Sequence, residues 1–138
     1  MPVESIAEEL LGLEVEEMEL DVSGMLFPTE RLILVNGGES EARRRFTIAH
    51  ELGHWVCQCL EGHTAPLYCR SEDIGVDPRA RALEREANVF AAELLMPETG
   101  VREEFAASVG DCAQAFGVSE EALRWRLYNL GLADEKPA

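Results

Sequence analysis

The chain has 138 residues, 46% of them hydrophobic, and its 12 basic and 27 acidic side chains give a formal net charge of -15. This length and hydrophobic content suit a single domain whose core needs no disulfides. So acidic a chain is repelled by phosphate backbones and attracts basic proteins, which argues against nucleic acid as a direct partner.

The first residues and the apolar runs of the sequence indicate where in the cell we expect the protein. The first twenty residues are acidic and lack the basic start and apolar run of a secretory signal. No stretch reaches the roughly 18–20 apolar residues of a membrane span. We therefore expect a cytoplasmic protein with no membrane contact and with reduced cysteines.

The first forty residues predict one helix and a small antiparallel sheet. Apolar residues recur at helical spacing over residues 3–13, and Gly12 suits the end of that helix. Alternating or continuous apolar runs then predict strands over residues 14–20, 25–27 and 31–35.

Two longer helices are predicted next, over residues 41–60 and 78–95, with a loop over residues 62–78 between them. Two or three short helices complete the chain, and Ser119 is a good N-cap for one of them. The segment from Phe116 to Leu130 superficially resembles part of a helix-turn-helix, but its acidic residues argue against DNA binding. Five apolar residues in this segment or directly before it are predicted to pack on the core: Ala115, Val118, Leu123, Leu127 and Leu130.

The predicted fold class is α+β, with a small antiparallel sheet packed on an active-site helix pair and a C-terminal group of short helices. Residues 1–138 are expected to form one domain. Within it, residues 1–40 hold the first helix and the sheet, residues 41–97 the two site helices, and residues 98–138 the C-terminal helices.

The strongest motif is His-Glu-Leu-Gly-His at residues 50–54, inside the first long helix. A spacing of four places His50 and His54 on one helix face, one turn apart, where both imidazoles can reach a single zinc ion. Glu51 projects beside them and is placed to take a proton from a water molecule that the metal activates. Two histidines on a solvated face are the alternative, but the surrounding residues are largely apolar.

A catalytic zinc ion needs a third protein ligand, and the second long helix supplies candidates. Glu84 and Asn88 share a face of that helix, so that Glu84 is predicted to ligate the metal and Asn88 to orient a histidine by hydrogen bonding. Glu86 lies about 200° around the helix from Glu84, and we interpret it as a solvated residue.

Two segments taken together resemble a known family. Residues 45–54 read Arg-Phe-Thr-Ile-Ala-His-Glu-Leu-Gly-His, and residues 84–97 read Glu-Arg-Glu-Ala-Asn-Val-Phe-Ala-Ala-Glu-Leu-Leu-Met-Pro. They resemble the ImmA/IrrE metallo-endopeptidases, and residues 6–15 and 115–132 are similar to the two ends of that family's domain.

The resemblance implies a gluzincin-like α+β fold with one catalytic zinc ion. It implies His50, His54 and Glu84 as ligands and Glu51 as general base, whereas gluzincins more often have an acid where this chain has Asn88. It also implies an endopeptidase whose substrate is a helix-turn-helix transcriptional repressor, so that cleavage switches on mobile-element or stress-response genes.

Further residues are weaker candidates. Tyr68 and His63 lie in the predicted loop, where either side chain is a candidate oxyanion donor or substrate contact, although an exposed loop residue is the favoured interpretation. Four residues could alternatively hold a second metal ion: Cys57, Cys59, His63 and Cys69. The favoured interpretation is that the cysteines are reduced and buried as small hydrophobic residues. Trp125 and Tyr128 are predicted to pack on the core, with an exposed protein-binding face as the alternative.

Two other functions compete with the repressor-cleaving peptidase. One is a non-catalytic, zinc-bearing anti-repressor or toxin–antitoxin component that acts by binding alone, although binding alone has no need of Glu51. The other is a housekeeping peptidase, which predicts turnover of generic short peptides.

Overall fold

The computed structural model describes residues 2–57, 67–68, 78–104, 108–133 and 136–137. The chain begins with a short helix, α1 (Val3–Ser5), which continues as a π-helical segment (Ile6–Leu10). Gly12 follows at a φ of +67°, a backbone conformation that favours glycine. It ends the helical segment as predicted and turns the chain into the sheet.

The sheet has four strands in the order β1-β3-β2-β4: β1 (Glu14–Met18), β2 (Gly24–Phe27), β3 (Leu32–Asn36) and β4 (Leu67–Tyr68). It is mixed, where the sequence predicted an antiparallel sheet: β2 pairs antiparallel with β3 and β4, but β1 runs parallel to β3. The apolar strand β3 takes a central place and separates β1 from β2. The acidic, mostly exposed β1 lies at the edge, where charge discourages pairing with other chains.

Two long helices pack on each other, α2 (Glu41–Cys57) and α3 (Pro78–Leu95), and α2 also lies against the sheet. Both were predicted, and residues 58–60 of the first predicted helix lie outside the described residues. The inner face of the sheet and one face of α2 form the centre of the core. Its fully buried members include Leu26, Ile33, Val35, Ile48, Ala49 and Leu52.

Three shorter helices follow: α4 (Glu98–Glu104), α5 (Val109–Phe116) and α6 (Glu120–Asn129). The Ser119 hydroxyl oxygen accepts a hydrogen bond from the Ala122 N–H and caps α6 as predicted. Ala115 is exposed, contrary to its predicted packing, because it lies on the outer face of the short helix α5. The other four residues predicted to pack there belong to the core or lie against it: Val118, Leu123, Leu127 and Leu130.

Arginine side chains join the C-terminal helices to the rest of the protein. Trp125 and Tyr128 are half-buried and contact each other edge to face, with ring centroids 6.1 Å apart. Arg126 on α6 donates from Nε to the Met96 carbonyl oxygen just beyond α3, at 3.0 Å. Arg45 on α2 donates from Nε to the Gly117 carbonyl oxygen at the end of α5, at 3.1 Å. The C-terminal helices are thus hydrogen-bonded to α2 and to the residue that follows α3. Over the described ranges, none of the helices combines the length and apolarity needed to cross a membrane.

Candidate metal centre

The candidate metal centre lies where α2 and α3 face each other. His50 and His54 leave the same face of α2, as their spacing predicts, and both side chains are buried, with 3% and 1% exposure. Glu84 reaches the same place from α3. These three residues form the group in the described part of the chain that could hold a metal ion.

The donor atoms of the three side chains converge on one point. His50 Nε2 lies 3.2 Å from His54 Nε2 and 2.9 Å from Glu84 Oε2, and His54 Nε2 lies 3.0 Å from Glu84 Oε1. Tetrahedral ligands at about 2.0–2.1 Å from a zinc ion lie roughly 3.3 Å apart. Two imidazoles and a carboxylate in this spacing therefore fit a small divalent transition metal, with a fourth position left for water or substrate.

Asn88, one turn beyond Glu84, contacts the other side of the His50 ring. Its Oδ1 lies 2.8 Å from His50 Nδ1, and because an amide oxygen only accepts, Nδ1 donates the hydrogen bond. This bond orients the ring and directs Nε2 at the other donors. Glu86, the alternative acid on α3, is exposed to solvent.

Glu51 lies beside the ligands, and its carboxylate is fully buried. Both of its oxygens lack a hydrogen-bond partner among the described residues. Burial has the largest effect on the Glu51 pKa and raises it, and the negative charge of Glu84 raises it further. His54 lowers the pKa but is outweighed, so that the Glu51 pKa is about 8. A buried carboxylate without a partner destabilises a fold, and such costs concentrate at functional sites.

Glu84 has the opposite electrostatic environment. Burial raises its pKa, but hydrogen bonds and charge interactions with His50 and His54 outweigh burial and lower the pKa to about 2. Glu84 is therefore ionised over the whole physiological range, as a metal ligand must be.

Gly53 has a role that the sequence did not reveal. A Cβ on Gly53 would lie 3.0 Å from both Cα and the carbonyl oxygen of Ala87, and 3.1 Å from Phe90 Cβ. The glycine therefore lets α2 and α3 approach closely at the level of the metal ligands. The sequence contained one indication of this close approach, a small residue three positions after a predicted ligand on each helix. These residues are Gly53 after His50 and Ala87 after Glu84.

The structure describes only two of the weaker site candidates, Tyr68 and Cys57. The backbone of Tyr68 belongs to β4 and pairs with Met25 of β2. Cys57 is half-buried at the end of α2. The remaining members of the predicted loop sites, Cys59, His63 and Cys69, lie outside the described residues.

A helix carrying two histidine ligands and a neighbouring glutamate, with a third ligand from elsewhere, is the arrangement of zinc-dependent metallopeptidases. The chain belongs to the Peptidase M78 family, because the family model, described as the IrrE N-terminal-like domain, matches residues 8–128. This agrees with the resemblance found in the sequence.

The known proteins similar to this chain include a metalloprotease and a transcriptional regulator. Over 93 residues it is 31% identical to the radiation response metalloprotease IrrE of Deinococcus radiodurans, a match that covers 67% of this chain and 27% of that protein. Its fold matches a Mycobacterium tuberculosis transcriptional regulator with a TM-score of 0.67 and 20% identity, over 91% of this chain and 39% of that one. The chain thus spans well under half the length of either protein. The family and the IrrE likeness support a metalloprotease, and the second likeness shows the α+β fold.

Proposed function

We propose that the protein is a zinc-dependent endopeptidase that cleaves a helix-turn-helix transcriptional repressor in the cytoplasm. The observation that carries the catalytic part is the buried Glu51 carboxylate, unpartnered within the described residues, beside three converging metal donors. A protein that only bound its partner would gain nothing from so costly a group.

The donor set supports zinc, because two imidazoles and one carboxylate with an open fourth position form a common catalytic zinc site. When bound, such an ion polarises a carbonyl group and lowers the pKa of water. The positive charge of an ion held by His50, His54 and Glu84 would also lower the pKa of the neighbouring Glu51 carboxyl group, which would then be ionised and able to accept a proton.

The residues then divide the hydrolysis among them. Glu51 takes a proton from the attacking water as its oxygen bonds to the scissile carbonyl carbon. The C–N bond breaks as Glu51 passes that proton to the leaving nitrogen, which becomes the new amine. Asn88 holds the His50 ring in orientation throughout.

The repressor substrate is supported by the family resemblance and by charge. A net charge of -15 favours encounter with a basic protein, and DNA-binding repressors carry basic surfaces. A transcriptional repressor also places the reaction in the cytoplasm.

The test is the Glu51→Gln variant, which keeps the shape of the side chain and removes its basicity. We expect both the variant and wild type to bind one zinc ion per chain, to be measured by atomic absorption, and the variant to lose at least about 100-fold in cleavage rate. Glu86→Gln makes the same chemical change on the exposed face of α3 and should alter neither quantity.

The same variant serves as a trap for the substrate. Glu51→Gln would be used to retain partners from a lysate of the host cell, and wild type would then be added to each retained protein. A helix-turn-helix repressor that is cut once supports the proposal. Cleavage by Glu51→Gln at the wild-type rate contradicts the mechanism, and a partner that is retained but never cut supports a function through binding alone.

A further inference from the structure

The Glu51 carboxylate has no hydrogen bond to any described residue, so packing must hold it in place. Gly24, the first residue of β2, lies next to the Glu51 side chain. A Cβ on Gly24 would lie 3.8 Å from Glu51 Cγ, so the strand backbone passes alongside the glutamate stem.

The Thr47 side chain projects from α2 towards β2. It is buried on α2, one turn before Glu51, and therefore on the same helix face. A Cβ on Gly24 would overlap the Thr47 Cγ2 methyl and would lie 3.0 Å from the Leu34 carbonyl oxygen of β3. A threonine side chain in a helix divides mainly between two χ1 rotamers, so its methyl has few alternative positions. The Thr47 methyl thus fills the space that the missing Gly24 side chain leaves.

We propose that Gly24 and Thr47 are positioning residues for Glu51, with the Thr47 methyl packed on the bare Gly24 backbone to fix the distance between β2 and α2. This role rests on the proposed function, because it concerns the orientation of the general base. Neither residue touches the substrate in this account; both act through Glu51.

Moving one methyl group across the contact tests the proposal. Gly24→Ala adds a methyl where Thr47 Cγ2 already lies, Thr47→Ser removes Cγ2, and the double variant transfers the methyl from the helix to the strand. Gly37→Ala is the matched control, because a Cβ there meets Glu17 Cβ at an ordinary 3.6 Å.

We expect Gly24→Ala to lower kcat roughly 10- to 100-fold on the repressor retained by the trap, with KM changed less than about threefold. Thr47→Ser should lower kcat by less, and the double variant should recover most of the loss, because the two changes are coupled. Recovery should be partial, since the close approach to Leu34 remains. The zinc dissociation constant, measured by chelator competition, should stay within about threefold of wild type in all variants.

The outcomes separate this role from the function on which it rests. If wild type cleaves but Gly24→Ala keeps its kcat, or if the double variant is no better than Gly24→Ala, the positioning role is overturned alone. If Gly24→Ala does not fold, Thr47→Ser decides: a kcat below that of wild type, with KM and zinc affinity unchanged, supports the role, and an unchanged kcat overturns it. If wild type cuts no retained protein, the proposed function fails and the positioning role fails with it.

Discussion

Glu51 and Glu84 lie in one site, but their pKa values are shifted in opposite directions from the usual value of a glutamate. Burial without a partner raises the pKa of Glu51 to about 8, and two histidines lower that of Glu84 to about 2. Carboxyl groups whose environments differ in this way take different tasks, one exchanging protons and the other remaining an anion. The surroundings of each side chain thus support the proposed roles of Glu51 as base and Glu84 as ligand.

The raised pKa of Glu51 predicts how pH affects the stability of the metal-free protein. The folded state keeps this proton up to about pH 8, whereas the unfolded chain releases it near pH 4.5. The stabilisation is therefore complete below pH 4.5 and is lost as pH rises through 8. The loss amounts to at most about 1.4 kcal/mol per pH unit.

Urea unfolding of chelator-treated protein between pH 5 and 8 would measure this slope. Glu51→Gln carries a permanently neutral side chain, so its free energy of unfolding should fall less steeply than that of wild type. Taking the difference between the two proteins removes the contribution of the histidines, which both share. Equal slopes would show that Glu51 ionises in the folded protein as it does in the unfolded chain.

At the scale of elements, the site depends on how closely α2 and α3 approach. Gly53→Ala should raise the helix propensity of α2 by about 1 kcal/mol, yet its Cβ would lie 3.0 Å from the backbone of Ala87 and force the helices apart. We therefore expect a protein that folds but binds zinc roughly 10- to 100-fold more weakly, because the ligands no longer converge. Chelator competition would measure the change.

Ala87→Gly is the matched variant for this contact. It lowers the helix propensity of α3 by a similar amount while adding no atom between the helices. It should therefore lose stability but keep its zinc affinity, the reverse of Gly53→Ala. If both variants lose affinity in proportion to their loss of stability, the contact supports the fold and does not set the ligand spacing.

At the scale of the whole molecule, we expect metal binding to be linked to folding. The ligands come from two helices separated along the chain, so the unfolded chain offers no assembled site and a bound metal ion stabilises only the folded state. Free zinc at 100 times its dissociation constant should add about 2.7 kcal/mol. For a chain of this size that raises Tm by roughly 10 °C.

Differential scanning calorimetry with zinc and with a chelator would measure this difference. Glu84→Gln removes the anionic ligand and keeps the size of the side chain, so its Tm should respond much less to zinc. An equal rise in both proteins would mean that the metal binds outside the His50, His54 and Glu84 group.

The sequence by itself determined what depends on local spacing. Helical periodicity placed His50 and His54 on one face and Glu84 and Asn88 on another, and turn and capping residues marked Gly12 and Ser119. Three of the four described strands were found within two residues of their bounds, whereas β4 lies in the segment predicted as a loop. These features could be read directly because they depend on residues within a turn or two of each other.

Tertiary structure decided what depends on distant segments. The parallel placement of β1 beside β3 and the near contact of Gly53 with Ala87 join residues that no local pattern connects. So does the approach of Gly24 to Thr47 and Glu51. The pKa of Glu51 belongs here too, since burial by the whole fold raises it. Close packing acts through space, and each of these effects therefore exists only once the chain has folded.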